Sequence, residues 1–181
     1  MTFVSWLGEV IVVGAGRVVV RRFVGGDLQD FLAYQGEPVV RRYLPGAAMS
    51  AEQARDYLAG QAVLDEHALD AWHGFAVQHL ADDRVIGDVG VWLASDRPGA
   101  GDVGFQFHPG YHGQGYAYEA MRLFLTYVFD SLGLSQVTAG CETANSSSWG
   151  LMERLGMRRL GETGQSLRYG LTREQWAASA D

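Results

Sequence analysis

Asp102-Val103-Gly104-Phe105-Gln106-Phe107-His108-Pro109-Gly110-Tyr111-His112-Gly113-Gln114-Gly115-Tyr116-Ala117-Tyr118-Glu119-Ala120-Met121 is the stretch around which this 181-residue chain is organised. Residues 103–108 read as a short strand, 109–115 as a glycine-rich turn, and the run onward to about residue 134 as one amphipathic helix. Ala117, Met121, Phe124 and Val128 recur at three- and four-residue steps, whereas Glu119, Arg122, Thr126 and Asp130 mark the opposite side, so the apolar set forms one helical stripe. A strand, a glycine turn and a helix N-terminus in succession make an anion site. The first-turn N–H groups have no partner within the helix, and the helix dipole places partial positive charge there. The same turn also serves as an ordinary tight corner, because glycine is the default wherever φ is positive.

Composition narrows the chemistry. The chain has no lysine, so all 14 basic residues are arginine. The turn therefore lacks the lysine that a P-loop sets on the β- and γ-phosphates, and Schiff-base chemistry is excluded as well. A turn that grips phosphate by main-chain amides alone suits a pyrophosphate that is held and not cleaved. The net charge of −7 disfavours nucleic acid and anionic membranes and suits cationic substrates such as amines. Cys141 is the one cysteine, which excludes an intrachain disulfide and fits a reducing cytoplasm. No apolar run approaches the roughly 18–20 residues that span a bilayer, no basic leader opens the chain, and no His/Cys/Asp spacing suggests a metal site.

The glycine stretch resembles the acyl-CoA pyrophosphate loop of the GNAT superfamily of N-acetyltransferases. More narrowly, 111–120 is similar to the RimJ/RimL-like branch, with His112 where tryptophan is usual and Gln114 where lysine is usual. A second motif supports this. Asn145-Ser146-Ser147-Ser148-Trp149-Gly150-Leu151-Met152-Glu153-Arg154-Leu155-Gly156-Met157 resembles the family's Asn-x-x-Ser-x-x-Leu-x-Glu-Lys/Arg-Leu-Gly-Phe/Met and follows the glycine loop across one helix and one strand. Residues 17–23 also look like the opening strand of RimJ/RimL-like proteins.

The rest of the chain is consistent with that layout. Residues 10–16 suggest a dinucleotide turn, but Val19 stands at the third glycine position and a β-branched run follows, so a hairpin of 10–13 with 17–23 across Gly14-Ala15-Gly16 is the better reading. Asp27 is expected to cap a helix, Pro38 to open a short one, and Ser50-Ala51-Glu52-Gln53 to form a capping box before a third. Strands follow at 72–80, 84–93 and 136–141, a short helix at 146–155, and closing strands at 157–160 and 167–171. The expectation is a single α/β domain over residues 1–181: a GNAT fold with a mixed, largely antiparallel sheet of about seven strands, helices on both faces and a splayed central strand pair.

The resemblance implies acetyl transfer from acetyl-CoA, without a metal, to a primary amine, either a protein N-terminus or a small molecule, in a cytoplasmic enzyme. A homodimer is a family-level expectation. It places the pantetheine arm between residues 105–107 and 137–141 and the diphosphate on the amides of His112, Gly113, Gln114, Gly115, Tyr116 and Ala117. A main-chain N–H near Gln106 or Phe107 serves the oxyanion, and Asn145 and Ser148 face the cofactor. Asp102 stands where family members often carry an acidic residue, which makes it the candidate base. Met152 replaces a frequent tyrosine, leaving Ser148 as the hydroxyl for the leaving sulfur. Simpler readings compete: Asn145 as a helix cap, His108 and His112 as surface residues, Glu119 as a helix-terminus stabiliser, Cys141 as a small buried hydrophobe. A non-catalytic acyl-CoA-binding sensor is the alternative function.

Overall fold

The computed structural model describes residues 2–6 and 9–13 in backbone and 16–179 with their side chains. Among the described residues nine strands form one sheet: β1 (Thr2–Trp6), β2 (Glu9–Val13), β3 (Val18–Arg21), β4 (Ala71–His79), β5 (Arg84–Leu93), β6 (Ala100–Phe107), β7 (Gln136–Glu142), β8 (Arg158–Thr163) and β9 (Ser166–Thr172). Their spatial order is β1-β2-β3-β4-β5-β6-β7-β9-β8, and β6 with β7 is the parallel pair. Strands β3 to β9 are the seven expected, and the β1–β2 hairpin extends the β3 edge. Val12 pairs with Val20 and Val13 with Val19, so a strand follows the first glycine cluster and no dinucleotide helix forms. The hairpin's corner, Gly14 and Ala15, lies outside the described residues.

Helices α1 (Leu28–Gln35), α2 (Pro38–Arg41) and α3 (Ala51–Val63) connect β3 to β4, while α4 (Tyr116–Asp130), α5 (Ser146–Arg154) and α6 (Arg173–Ala178) belong to the second half. The period-two alternation of the strands divides the core between two faces. On one face Phe75, Val77, Val89, Val91 and Val103 meet Met121, Phe124 and Val128 of α4 and Leu151 and Met152 of α5. On the other, Ala76 and Val85 meet Phe31 and Tyr34 of α1 and Ala54 and Leu58 of α3.

Two local readings need adjustment. Ser50 caps α3 in the expected box with Gln53. Asp27, by contrast, makes no side-chain cap bond to α1; its carboxylate takes both Arg21 nitrogens at 2.8 Å and the Val24 N–H at 2.8 Å, a bidentate charge-assisted pair stronger than a cap bond. Helix α6 was not expected, although Thr172-Arg173-Glu174-Gln175 carries a capping box that closes in the structure. Its Trp176 packs on Phe129 with ring centroids 6.2 Å apart, which is why α4 is buried over more than one stripe.

One charged group lies inside the α1-side layer. Asp88 of β5 is 4% exposed and accepts from Tyr34 Oη and from Gln106 Nε2, each at 2.7 Å onto the same Oδ2. Burial pushes its carboxyl up to about 6, against the pull of those two donors. Between the unfolded value of 3.8 and about 6 the folded chain keeps a proton that the unfolded chain releases, so this group's contribution declines as pH rises, by on the order of 3 kcal/mol across the window. Asp88→Asn should remove that slope: the stability of the variant relative to the native chain, from urea unfolding, should grow between pH 4 and pH 7.

Candidate active site

The site begins where two strands part. Strands β6 and β7 share the rungs Ala100–Gln136, Gly101–Val137 and Asp102–Thr138; beyond these, β6 continues to Phe107 and β7 to Glu142 without pairing to each other. On its other side β6 stays in register with β5 as far as Phe107, and the His108 N–H continues to Ile86 O at 2.7 Å. Alternation along the strand turns the main-chain groups of Gln106 and Gly104 toward β5 and those of Phe105 and Phe107 into the gap. Of the two expected positions, Gln106 and Phe107, the Phe107 amide is the one directed into the gap. The Gln106 side chain lies on the opposite face, where its Nε2 donates to Asp88 Oδ2 at 2.7 Å.

The glycine turn closes the wide end of the gap. Gly113 (φ +72°) and Gly115 (φ +86°) adopt left-handed conformations that a side chain would strain. The N–H groups of residues 113–118 find no acceptor among the described residues. The His112 amide does not join them, since it donates to Pro109 O at 3.1 Å, while its ring Nε2 meets Phe107 O at 2.8 Å. His112 is therefore a brace between turn and strand. This revises its expected place among the phosphate-binding amides. The Gln114 side chain likewise folds back to Gly110 O at 2.9 Å.

Glu119 anchors the assembly. Its carboxylate receives the Arg17 and Val18 amides and the Arg17 Nε at 3.1 Å. Arg17 in turn donates to Gln114 O at 3.0 Å and lies 4.2 Å over the Tyr116 ring. The reading of Glu119 as a helix-terminus stabiliser was incomplete, because it ties α4 to the start of β3.

Ser148 stands across the gap. Asn145 caps α5, its side-chain oxygen accepting the Ser148 N–H at 3.3 Å. Met152 is fully buried. Ser148 lies one turn earlier on the same helical face, half-buried. Burial pushes the Cys141 thiol up, with the Ser148 hydroxyl and the Trp149 amide opposing, so Cys141 is a weak nucleophile.

The opposite face carries the second half of the site. Asp102 projects there from the last shared rung; its Oδ1 takes Thr138 Oγ1 at 2.8 Å and Arg168 Nη2 at 3.1 Å, and neither contact uses Oδ2. Above it, Gly74, Gly90 and Gly104 are register partners on three adjacent strands. The Trp72 indole lies across this row: a methyl at Gly90 would meet its Cζ2 at 2.4 Å, and one at Gly104 its Cη2 at 3.1 Å. Only glycine lets a ring cross the sheet surface this closely. Asp102 and Gln106 flank Gly104 two residues away on either side, about 7 Å along the strand. A depression of about 580 Å³ lined by Tyr43, Gly140, Glu142, Leu160 and Arg168 adjoins on β7 and β9. Sequence reasoning missed Asp88, Trp72 and the glycine row, whose significance depends on strand register.

Among the described residues no group of three or more His, Cys, Asp or Glu is placed to hold a metal ion, and no helix is long and apolar enough to cross a membrane. Residues 17–158 match the model of the acetyltransferase (GNAT) domain. The uncharacterized N-acetyltransferase YnaD of Bacillus subtilis is 29% identical over 145 residues, 80% of this chain and 81% of its own. A GNAT-family acetyltransferase from Bacillus anthracis superposes with a TM-score of 0.76 at 24% identity, covering 90% of this chain and 98% of that one. RimL, a ribosomal L7/L12 α-N-protein acetyltransferase solved with coenzyme A, shares the fold with a TM-score of 0.76 at 12% identity over 90% and 97% of the two chains. A family match over that much of the sequence decides the assignment: this protein is a member of the GNAT acetyltransferase family.

Proposed function

We propose that this acetyltransferase moves the acetyl group of acetyl-CoA to a primary amine by direct attack in a ternary complex. The observation that carries the reading is the run of amides at residues 113–118 without acceptors, set at the mouth of the β6–β7 gap. Such donors at a helix N-terminus suit a diphosphate, and an unpaired strand edge suits the amides of an extended pantetheine chain. The thioester supplies an activated acyl carbon.

The chain's own residues do the rest. The turn and the gap edge hold the donor so that its carbonyl lies beside the acceptor nitrogen, and orientation of this kind supplies on the order of 7–11 kcal/mol. The Phe107 N–H, aimed into the gap, stabilises the developing oxyanion by roughly 3 kcal/mol. Ser148 donates a hydrogen bond to the departing sulfur from the α5 side, and the thiolate, whose thiol has a pKa of about 8.5 when free, takes its proton from water. Asp102, five residues and roughly 17 Å along β6 from Phe107, receives at its Oδ2, through intervening water, the proton that the amine loses. The acceptor is a protein N-terminus or a small amine; RimL, whose fold this chain shares, acts on a protein α-amine.

Calorimetry should detect coenzyme A binding, and Gly115→Ala should weaken it about tenfold by straining the turn; a folded protein that takes up no coenzyme A would refute the reading. Thiol release from acetyl-CoA with benzylamine, spermidine, kanamycin and the peptide Ser-Ala-Ala should reveal at least one acceptor. Ser148→Ala should lower kcat several-fold while coenzyme A affinity changes little, and an unchanged kcat would remove Ser148 from the reaction.

A further inference from the structure

The glycine turn carries no fixed cation of its own. Residues 109–118 contain neither arginine nor lysine, and the Gln114 side chain is folded back onto Gly110 O. Amides alone would then face a diphosphate, which is doubly charged. Arg17, 97 residues before Gln114 in the chain, brings a full charge to this place. Its guanidinium is fixed from three sides: Nε on Glu119 at 3.1 Å, Nη1 on Gln114 O at 3.0 Å, and Cζ 4.2 Å from the centre of the Tyr116 ring. Nη2 makes no bond among the described residues. A methyl placed on Gly115 would meet this nitrogen at 3.4 Å, so Nη2 lies against the left-handed N-cap of α4, within the run of amides that have no acceptor. The Arg17 side chain is 51% exposed, which leaves that corner open. Arg154 of α5 also reaches the first turn, 4.9 Å over the Tyr118 ring, but that ring contact is all that holds its guanidinium among the described residues.

We propose that Arg17 is a ligand of the coenzyme A diphosphate, its Nη2 donating to a phosphoryl oxygen that the amides of residues 113–118 also hold. The inference rests on the acetyltransferase reading above. A helix N-terminus attracts an anion through partial charges, and a guanidinium adds a full charge with donors at fixed angles. Nε and Nη1 keep the group in place, so no bond within the protein has to break when Nη2 meets the phosphate. Glu119 is a positioning residue in this arrangement. Its carboxylate is taken up by the Arg17 and Val18 amides and by Arg17 Nε, and it sets the side of the turn on which the guanidinium lies.

The test is calorimetry of the full chain with coenzyme A and with dephospho-coenzyme A, which keeps the diphosphate and lacks the 3′-phosphate. Arg17→Gln should weaken both nucleotides tenfold or more. The native affinity should also fall more steeply with salt than that of the variant between about 50 mM and 0.5 M, because screening weakens a direct ion pair, so the difference should narrow at least threefold. Arg17→Lys keeps the charge but cannot hold Glu119 and Gln114 together; it should bind coenzyme A within threefold of the native chain, and it serves as the test should Arg17→Gln fail to fold. Native affinity in Arg17→Gln would overturn the proposal. So would a loss that is constant with salt or equally large in Arg17→Lys, either of which would make Arg17 a brace of the turn and nothing more. A loss seen with coenzyme A and absent with dephospho-coenzyme A would move the contact to the 3′-phosphate and overturn the diphosphate assignment. A native chain that takes up neither nucleotide would overturn the acetyltransferase reading and this one with it.

Discussion

The loss of pairing between β6 and β7 after the Asp102–Thr138 rung is the constraint on which the site depends. A sheet normally pairs both edges of an inner strand, and an unpaired inner edge leaves polar groups without partners. Here that edge lies at the centre of the molecule, between two half-sheets each well paired on its far side. The rung at Asp102 is clamped by Thr138 and Arg168, which sets where divergence starts. Arranged about the opening are the amides of residues 113–118 at its mouth, Ser148 on the α5 side and Asp102 on the opposite face.

The opening would be of little use if the turn at its mouth were mobile. Arg17, Glu119, Gln114 and His112 hold it by bonds that leave the N–H groups of residues 113–118 unused. The turn is thus organised by its own side chains. His112 and Gln114, the two departures from the usual family motif, take part in this bracing by side chain, which explains how the loop keeps its form without the usual tryptophan and lysine.

The acceptor face shows the opposite compromise. Asp88 is retained in a buried position that raises its proton affinity, and the glycine row gives up side-chain packing so that Trp72 can lie across three strands. Local departures from good packing and full polar satisfaction cluster around functional sites because the rest of the fold is stable enough to carry them.

Periodicity, turn chemistry and capping signals were enough to place β3 to β9, α3, α4 and α5, because each depends on neighbours within a few residues. The same locality made the Gly113–Gly115 turn and the Asn145 cap legible, since unpaired amides follow from φ values and helix ends alone. Other features depend on partners far away in sequence. Asp27 reads locally as a cap, but Arg21 is in reach and binds it more strongly. His112 reads as one more amide donor until the bend at Pro109 takes that amide. Asp88 reads as an ordinary strand carboxylate; burial by Tyr34, 54 residues earlier, and a bond from Gln106, 18 residues later, make it otherwise. Sequence by itself determined which segments are strands, helices and glycine turns, because backbone preference and apolar spacing are local. Only the tertiary structure decided which main-chain groups face the gap and which side chains meet across the glycine row, because strand register is set by contacts between distant segments.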